Sequence, residues 1–245
     1  FDMWNQMQEH IPHLEQIYFA GGEPLMMEEH YWILKGLADR EMFDVKIIYN
    51  TNFSRLHLKD DNVLDLWQKF NNVSVGASLD GMGAHGEYIR KGTKWDQIVR
   101  NREQMIERCP NVDFYVSSTV SLYNALHVTD FHRSWVELGL VSAQDWNINI
   151  LQGPERDRID VLPQLYKEQV TAKVQKHIEW LRPQDHLQRA VSGYEGMIHL
   201  MNERDNSHLL GEFFRVNDVH DAYRKERFED VFTEYTDLRS YVITR

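Results

Sequence analysis

Residues 17–26 read IYFAGGEPLM, so an apolar run is followed directly by two glycines, a glutamate and a proline. Because glycine has no Cβ, the backbone groups of Gly21 and Gly22 can approach a ligand closely. The phosphate-binding patterns G-x-G-x-x-G and G-x-x-x-x-G-K-[ST] are absent, and the carboxylate of Glu23 would repel an anion. A carboxylate beside exposed carbonyl groups suits an ammonium ion. The stretch therefore predicts a site for a cationic group at the end of a strand.

Runs of β-forming residues recur along the first part of the chain and are separated by segments with helical period. The predicted strands are residues 16–20, 45–50, 73–79, 112–120 and 146–151. Strands that alternate with helices indicate βα units, in which right-handed crossovers join parallel strands. The predicted fold class is therefore α/β.

The character of the chain changes after residue 151, where the irregular link QGPERDRIDVLP leads into a helix-rich remainder. We predict a strand-containing core at residues 1–151 and a helical C-terminal region at residues 152–245. Asp60 and Asp61 are expected to cap one core helix, and Gly139 to end another. Apolar stripes at helical spacing are predicted for Tyr31, Leu34 and Ala38; Val63, Trp67 and Phe70; Ile98, Val99, Met105 and Ile106; Phe131, Trp135 and Leu138; Tyr166, Val170, Val174 and Leu181; Leu187, Ala190, Val191, Tyr194, Ile198 and Met201; and Phe228, Val231, Phe232 and Tyr235.

Each predicted strand ends in polar residues or glycines, and ligands of parallel α/β folds bind where the strands end. The residues at these ends are Gly21, Gly22 and Glu23; Asn50, Thr51 and Asn52; Ser78, Asp80 and Gly81; Thr119 and Ser121; and Asn147 and Asn149. Ordinary turn chemistry is the alternative explanation for any single end. Arg90 follows the third strand, and its guanidinium could hold a carboxylate bidentately, although a surface ion pair with Glu87 competes on spacing alone. Together the ends predict a pocket for an amino-acid-like group.

The amino-acid composition disfavours some classes of binding partner. The chain has 245 residues and a net charge of −11 without a basic stripe, which disfavours nucleic acid and anionic membranes as partners. No apolar run approaches the roughly 20 residues that span a bilayer. The single cysteine, Cys109, excludes an internal disulfide and favours a cytoplasmic location.

Three stretches, YFAGGEP, YNTNFSRL and VSVGASLDGMGAHGEYIRKGTKWDQIVRN, resemble in order and spacing the core of radical S-adenosylmethionine enzymes of the twitch/SPASM-related branch. SSTVSLYN and the D-x-x-R spacing of Asp221 and Arg224 are similar to later parts of that family. The resemblance implies a partial (β/α)6 TIM-like barrel whose first strand is missing from this chain. It also implies that S-adenosylmethionine binds beside a [4Fe–4S] cluster and is cleaved reductively to a 5′-deoxyadenosyl radical.

The resemblance carries over residue by residue. Gly21, Gly22 and Glu23 match the motif that holds the methionine ammonium, Ser78 matches a family serine, and Arg90 matches the arginine that contacts the carboxylate. Thr51, Asn52 and Asp80 match positions that line the pocket. The implied partners are an electron-donating reductase and a peptide or protein substrate.

One family feature is missing from the sequence. Members hold the cluster with C-x-x-x-C-x-x-C after the first strand, and Cys109 alone cannot replace three thiolate ligands. We expect that motif just upstream of Phe1, no metal ligands in this chain, and no activity of this chain alone. The alternatives are a non-catalytic, degenerate small-molecule-binding barrel and a TIM-barrel lyase or aldolase, for which Lys46 lies at the wrong end of its strand.

Overall fold

The computed structural model describes residues 3–242, with side chains from residue 7 onward. Residues 1, 2 and 243–245, at the outer ends of the two predicted domains, lie outside the described residues. The strands are β1 Gln16–Phe19, β2 Lys46–Thr51, β3 His57–Leu58, β4 Asp61–Asn62, β5 Val73–Ala77, β6 Asp113–Val120 and β7 Trp146–Ile150. The α-helices are α1 Met3–His10, α2 Glu28–Ala38, α3 Val63–Trp67, α4 Gly83–Ile89, α5 Trp95–Arg108, α6 Val128–Glu137, α7 Gln164–Leu181, α8 Arg189–Glu203, α9 Leu210–Arg224 and α10 Phe228–Val231.

Five strands form a parallel sheet in the order β1-β2-β5-β6-β7, and β3 pairs with β4 in a small antiparallel hairpin. The five predicted strands are confirmed to within two residues at each end. In β6, Phe114 and Val116 are buried while Asp113 is exposed, the alternation expected of a strand with one covered face. The prediction of the α/β class is confirmed.

The chain divides into two compact units, and the first consists of the described part of Phe1–Ser78 together with Thr93–Val116. It contains β1, β2, β5, the first half of β6, and α1, α2, α3 and α5. Burying each large apolar side chain stabilises the fold by about 1.5–3 kcal/mol. Fully buried members of this core include Leu34, Leu37, Ile47, Tyr49, Trp67, Val75, Ile98 and Met105.

The second unit consists of Leu79–Gly92 and the described part of Ser117–Arg245. In α7, Val170, Val174 and Leu181 are fully buried, which confirms that predicted stripe. No helix within residues 3–242 has both the length and the apolar character of a membrane span. Because the two units divide within the predicted core, the boundary at residue 151 stays a prediction.

The predicted cap of α3 was wrong. Its N-cap is Asn62, whose side chain accepts a hydrogen bond from the backbone N–H of Leu64 at 2.9 Å. Asp61 instead lies in β4 and forms an ion pair with Lys35 at 2.7 Å. Because Asp61 belongs to the hairpin, the helix begins one residue later than predicted, after Asn62.

Helix ends account for most wrong positions in the apolar stripes. Leu138 is 67% exposed and Leu187 is 62% exposed, because each lies beyond the end of its helix, where the helical period no longer sets the side-chain direction. Ile106, inside α5, is also exposed. Gly139 follows α6 with φ of +71°, as the predicted helix stop requires.

Candidate functional site

The loop after β1 exposes two glycines in the left-handed region of backbone conformation. Gly21 has φ of +83° and Gly22 has φ of +56°. Such angles favour glycine, because a Cβ would be strained there. A Cβ built on either residue would meet nothing within 4 Å. Backbone conformation therefore explains the glycines, and the space beside them is open to a ligand.

The carboxylate of Glu23 is held in place by three donors. Its Oε1 atom accepts hydrogen bonds from Oγ1 of Thr51 at 2.5 Å and from the backbone N–H of Leu25 at 3.2 Å. Its Oε2 atom accepts one from the backbone N–H of Asn52 at 2.7 Å. A carboxylate can accept about four hydrogen bonds, so Oε2 retains the capacity to accept one from a ligand.

The chain after β2 is shaped to hold that carboxylate. Phe53 is fully buried and has φ of +56°, an unusual conformation for a bulky residue. Its N–H donates to Oγ1 of Thr51 at 2.9 Å, and its carbonyl oxygen accepts from Nδ2 of the buried Asn101 at 2.9 Å. The backbone N–H of the half-buried Ser78 donates to the carbonyl oxygen of Thr51 at 2.8 Å. The ends of β2 and β5 are therefore tied together.

One face of the sheet in the first unit carries polar side chains. Nδ2 of Asn50 donates to the hydroxyl of Tyr18 at 2.6 Å, and Tyr18 is 53% exposed. On the same unit, Gly76 pairs in register with Tyr115, and a Cβ at Gly76 would lie 2.6 Å from the Tyr115 hydroxyl. The glycine is needed so that the tyrosine ring can lie over β5.

In the second unit, Asp80 and Arg90 form an ion pair. Nε of Arg90 donates to Oδ2 of Asp80 at 2.7 Å, and Oδ1 of Asp80 accepts from the backbone N–H of Thr119 at 2.7 Å. Nδ2 of the buried Asn124 donates to the carbonyl oxygen of Asp80 at 2.7 Å. Arg90 therefore pairs with Asp80 rather than with Glu87, because its φ of −109° and ψ of 80° lie outside the helical region on which the i−3 spacing depends.

A buried polar network contacts the helix that precedes Arg90. The Tyr88 hydroxyl donates to Oδ1 of Asp221 at 2.6 Å and lies 3.0 Å from Oδ1 of Asn217. Oδ2 of Asp221 accepts from the backbone N–H of Phe228 at 2.7 Å. Burial raises the pKa of Tyr88, and the bond to Asp221 raises it further, so the hydroxyl stays protonated. Sequence reasoning missed this network, whose one visible signal was the D-x-x-R spacing at Asp221.

A second contact on the same helix involves two stacked histidines. The rings of His85 and His127 lie 4.0 Å apart with an interplanar angle of 3°. Nε2 of His85 is 3.0 Å from Oε1 of Glu234, and Nε2 of His127 accepts from the backbone N–H of Met82 at 3.2 Å. Burial lowers the pKa of His127 to about 4, and the neighbouring His85 adds to that effect. His127 is therefore neutral and can accept this bond at neutral pH.

The cluster ligands implied by the family resemblance are not found in the described part of the chain. Cys109 is 2% exposed, and its Sγ lies 3.5 Å from the carbonyl oxygen of Leu64. Burial raises the pKa of its thiol, which disfavours the thiolate that iron needs. Among residues 3–242 no group of three His, Cys, Asp or Glu side chains could hold a metal ion. These residues do not fit a [4Fe–4S] cluster.

Within the first unit, the structure brings Glu23 together with Thr51 and Asn52, directly beside the Gly21 and Gly22 backbone, and ties Ser78 to Thr51. Within the second unit, it brings Asp80 and Arg90 together. The contact of the Glu23 carboxylate with the end of β2 follows from the sheet order, because β1 and β2 are neighbouring strands. The roles of all eight residues in binding a ligand stay predictions.

Comparisons with known proteins gave structural likenesses only. No protein-family model and no curated protein matches this chain. The solved structure "Native anSMEcpe with bound AdoMet and Cp18Cys peptide" has a TM-score of 0.45 at 16% identity, over 67% of this chain and 46% of that chain. "Native anSMEcpe with bound AdoMet" has a TM-score of 0.45 at 14% identity, over 71% and 48%. SuiB of Streptococcus suis bound to S-adenosylmethionine has 0.46 at 14%, over 67% and 35%.

The chain thus spans less than half the length of each of these three solved structures.

Proposed function

We propose that this chain binds S-adenosylmethionine as the core of a radical S-adenosylmethionine enzyme of the twitch/SPASM-related branch. The observation that carries the proposal is the exposed Gly21–Gly22 pair beside Glu23, whose carboxylate is fixed by Thr51 and Asn52. A fixed carboxylate with spare acceptor capacity, next to open backbone, fits the ammonium group of a methionine moiety.

Arg90 supports the proposal from the second unit. Its Nε atom is bound to Asp80, and among residues 3–242 its two terminal nitrogens have no hydrogen-bond partner. The Arg90 side chain is 31% exposed. An oriented, partly exposed arginine suits a carboxylate such as that of S-adenosylmethionine, because two of its N–H groups can donate to one carboxylate.

The chain's own residues would bind and orient the cofactor. Glu23 would neutralise the ammonium, Arg90 would neutralise the carboxylate, and Gly21 and Gly22 would allow close approach of the backbone. When bound, an iron–sulfur cluster would supply the electron that cleaves S-adenosylmethionine to methionine and a 5′-deoxyadenosyl radical. Because residues 3–242 do not provide its ligands, we propose that residues outside this sequence hold it.

The resemblance described from the sequence supports the remaining parts of the proposal. The five parallel strands would form part of a (β/α)6 barrel. An electron-donating reductase and a peptide or protein substrate are the proposed partners, and the cytoplasm is the proposed location. The excess of acidic residues suits such partners better than nucleic acid.

Binding of S-adenosylmethionine can be measured by calorimetry on the wild type, Glu23→Gln and Arg90→Lys. Loss of one charge-assisted hydrogen bond should weaken binding by about 10- to 100-fold in each variant. The exposed Glu29→Gln and Arg182→Lys are matched controls and should bind like the wild type. 5′-Methylthioadenosine, which lacks the amino-acid moiety, should bind all five proteins alike. Equal affinities of wild type, Glu23→Gln and Arg90→Lys for S-adenosylmethionine would refute the proposal.

A non-catalytic binding module is the second candidate, favoured by the burial of Cys109 and by the lack of a metal-ligating group among residues 3–242. A binding module would give the same affinities for S-adenosylmethionine as the enzyme, in the wild type and in each variant. Anaerobic reconstitution of the full-length protein with iron and sulfide separates the two. Iron–sulfur absorption that S-adenosylmethionine perturbs supports the enzyme, and failure to incorporate iron supports the binding module.

A further inference from the structure

The segment between Asp80 and Arg90 is too short to fix its own position. Its helix α4 has seven residues, and the N-cap residue Met82 provides no side-chain cap. An isolated helix of this length is unstable in water, because nucleation costs more than so few hydrogen bonds return. Contacts from elsewhere in the second unit must therefore determine where Arg90 lies.

One of these contacts is a hydrogen bond between two buried side chains. Tyr88, two residues before Arg90, is 3% exposed and donates to Asp221 of α9 at 2.6 Å. Asp221 is 7% exposed, and its other oxygen accepts from the backbone N–H of Phe228. The pair thus joins α4 to α9 and, through Phe228, to α10.

Three further contacts join the same segment to the C-terminal helices. His85 contacts Glu234, Lys91 forms an ion pair with Glu226, and Nη1 of Arg224 lies 3.5 Å from the carbonyl oxygen of Tyr88. Together with the Tyr88–Asp221 bond, these contacts come from residues 221–234, which we name the α4 clamp. The α4 clamp contacts both ends of α4 and the residue that follows Arg90.

We propose that the α4 clamp positions Arg90, with Tyr88 and Asp221 as the positioning residues. Holding α4 keeps Nε of Arg90 on Asp80, so that the terminal nitrogens keep one orientation. Neither Tyr88 nor Asp221 needs to touch the ligand for this role. The inference rests on the function proposed for Arg90, and it gives the helical C-terminal region a part in cofactor binding.

Tyr88→Phe tests the inference, because it removes the hydroxyl and keeps the buried ring. Tyr123→Phe is the matched control: its hydroxyl donates at 3.0 Å to Oδ1 of Asn217, the same atom that the Tyr88 hydroxyl approaches, but Tyr123 does not belong to α4. The first readout is hydrogen exchange of the Arg90 Nε–H in the ligand-free full chain, followed by nuclear magnetic resonance. Exchange should be about fivefold to tenfold faster in Tyr88→Phe, the equivalent of one lost buried hydrogen bond, and unchanged in Tyr123→Phe.

The second readout is affinity for S-adenosylmethionine. Tyr88→Phe should weaken binding by about fivefold to tenfold, whereas binding of 5′-methylthioadenosine should stay unchanged. The double variant Tyr88→Phe/Arg90→Ala should bind like Arg90→Ala alone, because residues that act through one another are not additive. Asp221→Asn has one acceptor oxygen for the two donors Tyr88 and Phe228, so it should recover part of the affinity that Asp221→Ala loses.

The two readouts separate failure of the inference from failure of the proposed function. Unchanged Arg90 Nε–H exchange in Tyr88→Phe would overturn the inference, as would an equal loss of affinity in wild-type and Arg90→Ala backgrounds. A wild type that does not bind S-adenosylmethionine would refute the proposed function. In that case the exchange measurement alone would still decide whether the α4 clamp holds Arg90.

Discussion

Arg90 and Asp80 are joined by a 2.7 Å hydrogen bond that uses one carboxylate oxygen, while the backbone N–H of Thr119 uses the other. The Asp80 side chain is 8% exposed and the Arg90 side chain is 31% exposed. The buried Asp80 carboxylate thus orients the cationic Arg90 side chain, which remains partly exposed. Charge-assisted pairs of this kind are stronger than neutral hydrogen bonds and restrict geometry as well.

Asp80→Asn should destabilise the protein by about 1–3 kcal/mol, because Arg90 loses its counter-charge and one of the two hydrogen bonds is lost. Chemical denaturation in urea measures the change. Asp130→Asn removes an exposed acid that pairs with Lys173, and should cost less than about 1 kcal/mol. Equal effects of the two substitutions would contradict the role given to Asp80.

Gly76→Ala should destabilise by about 1–3 kcal/mol, because the new methyl group would lie 2.6 Å from the Tyr115 hydroxyl and would displace the ring. Gly196→Ala in α8 is the matched control, with open space around the added Cβ. It should stabilise by about 0.5–1 kcal/mol, since alanine favours the helix. Thermal denaturation of both variants checks the opposite signs. A neutral Gly76→Ala would mean that the ring does not depend on the glycine.

Asn101→Ala should loosen the loop that holds Glu23. The substitution removes the donor to the Phe53 carbonyl oxygen and should destabilise by about 1–3 kcal/mol. It should also speed hydrogen exchange of the Asn52 N–H, which donates to Glu23. Exposed Asn202→Ala in α8 serves as the control. An Asn52 amide as protected in Asn101→Ala as in the wild type would show that the two are uncoupled.

Acid should destabilise the second unit through two buried histidines. Nε2 of His177 lies 3.1 Å from Nδ1 of His132; burial lowers the pKa of His177 to about 4 and that of His132 well below its ordinary value. In the unfolded chain these two histidines bind protons as the pH falls below about 6.5, whereas in the folded chain His177 does so only near pH 4. Stability is therefore full above about pH 6.5 and falls across that window.

The free energy of unfolding, measured by urea denaturation across the same window, checks this prediction. His177→Gln should flatten the dependence on pH by up to about 1.4 kcal/mol per unit. Exposed His57→Gln is the control. An unchanged slope in His177→Gln would show that another group carries the acid sensitivity.

Local patterns predicted the regular parts of the fold. The alternating β6 and the stripe of α7 follow from burial on one face, which sequence periodicity records directly. The hairpin β3–β4 was not predicted, because strands of two residues are too short to show an alternation of apolar and polar residues. Asp61 therefore seemed a helix cap, whereas its position depends on a partner strand and on Lys35.

Some contacts at the strand ends also follow from the sequence, whereas the ligand-binding roles of these residues stay predictions. Strand ends placed Glu23 near Thr51, since β1 and β2 are neighbours in the sheet. The partner of Arg90 was not predicted, because a helical i−3 spacing to Glu87 was assumed where the backbone leaves the helix. Tyr88 and Asp221 are 133 residues apart, and only tertiary folding brings such residues together.

The isolation of Cys109 has a practical consequence for spectroscopy. It is the one thiol in the sequence, and it is buried against Leu64. A maleimide or nitroxide reagent would therefore react selectively with a cysteine introduced at a surface position such as Tyr223, which is 90% exposed. Within residues 1–245 no endogenous cysteine has to be replaced before a single fluorophore or spin label is attached.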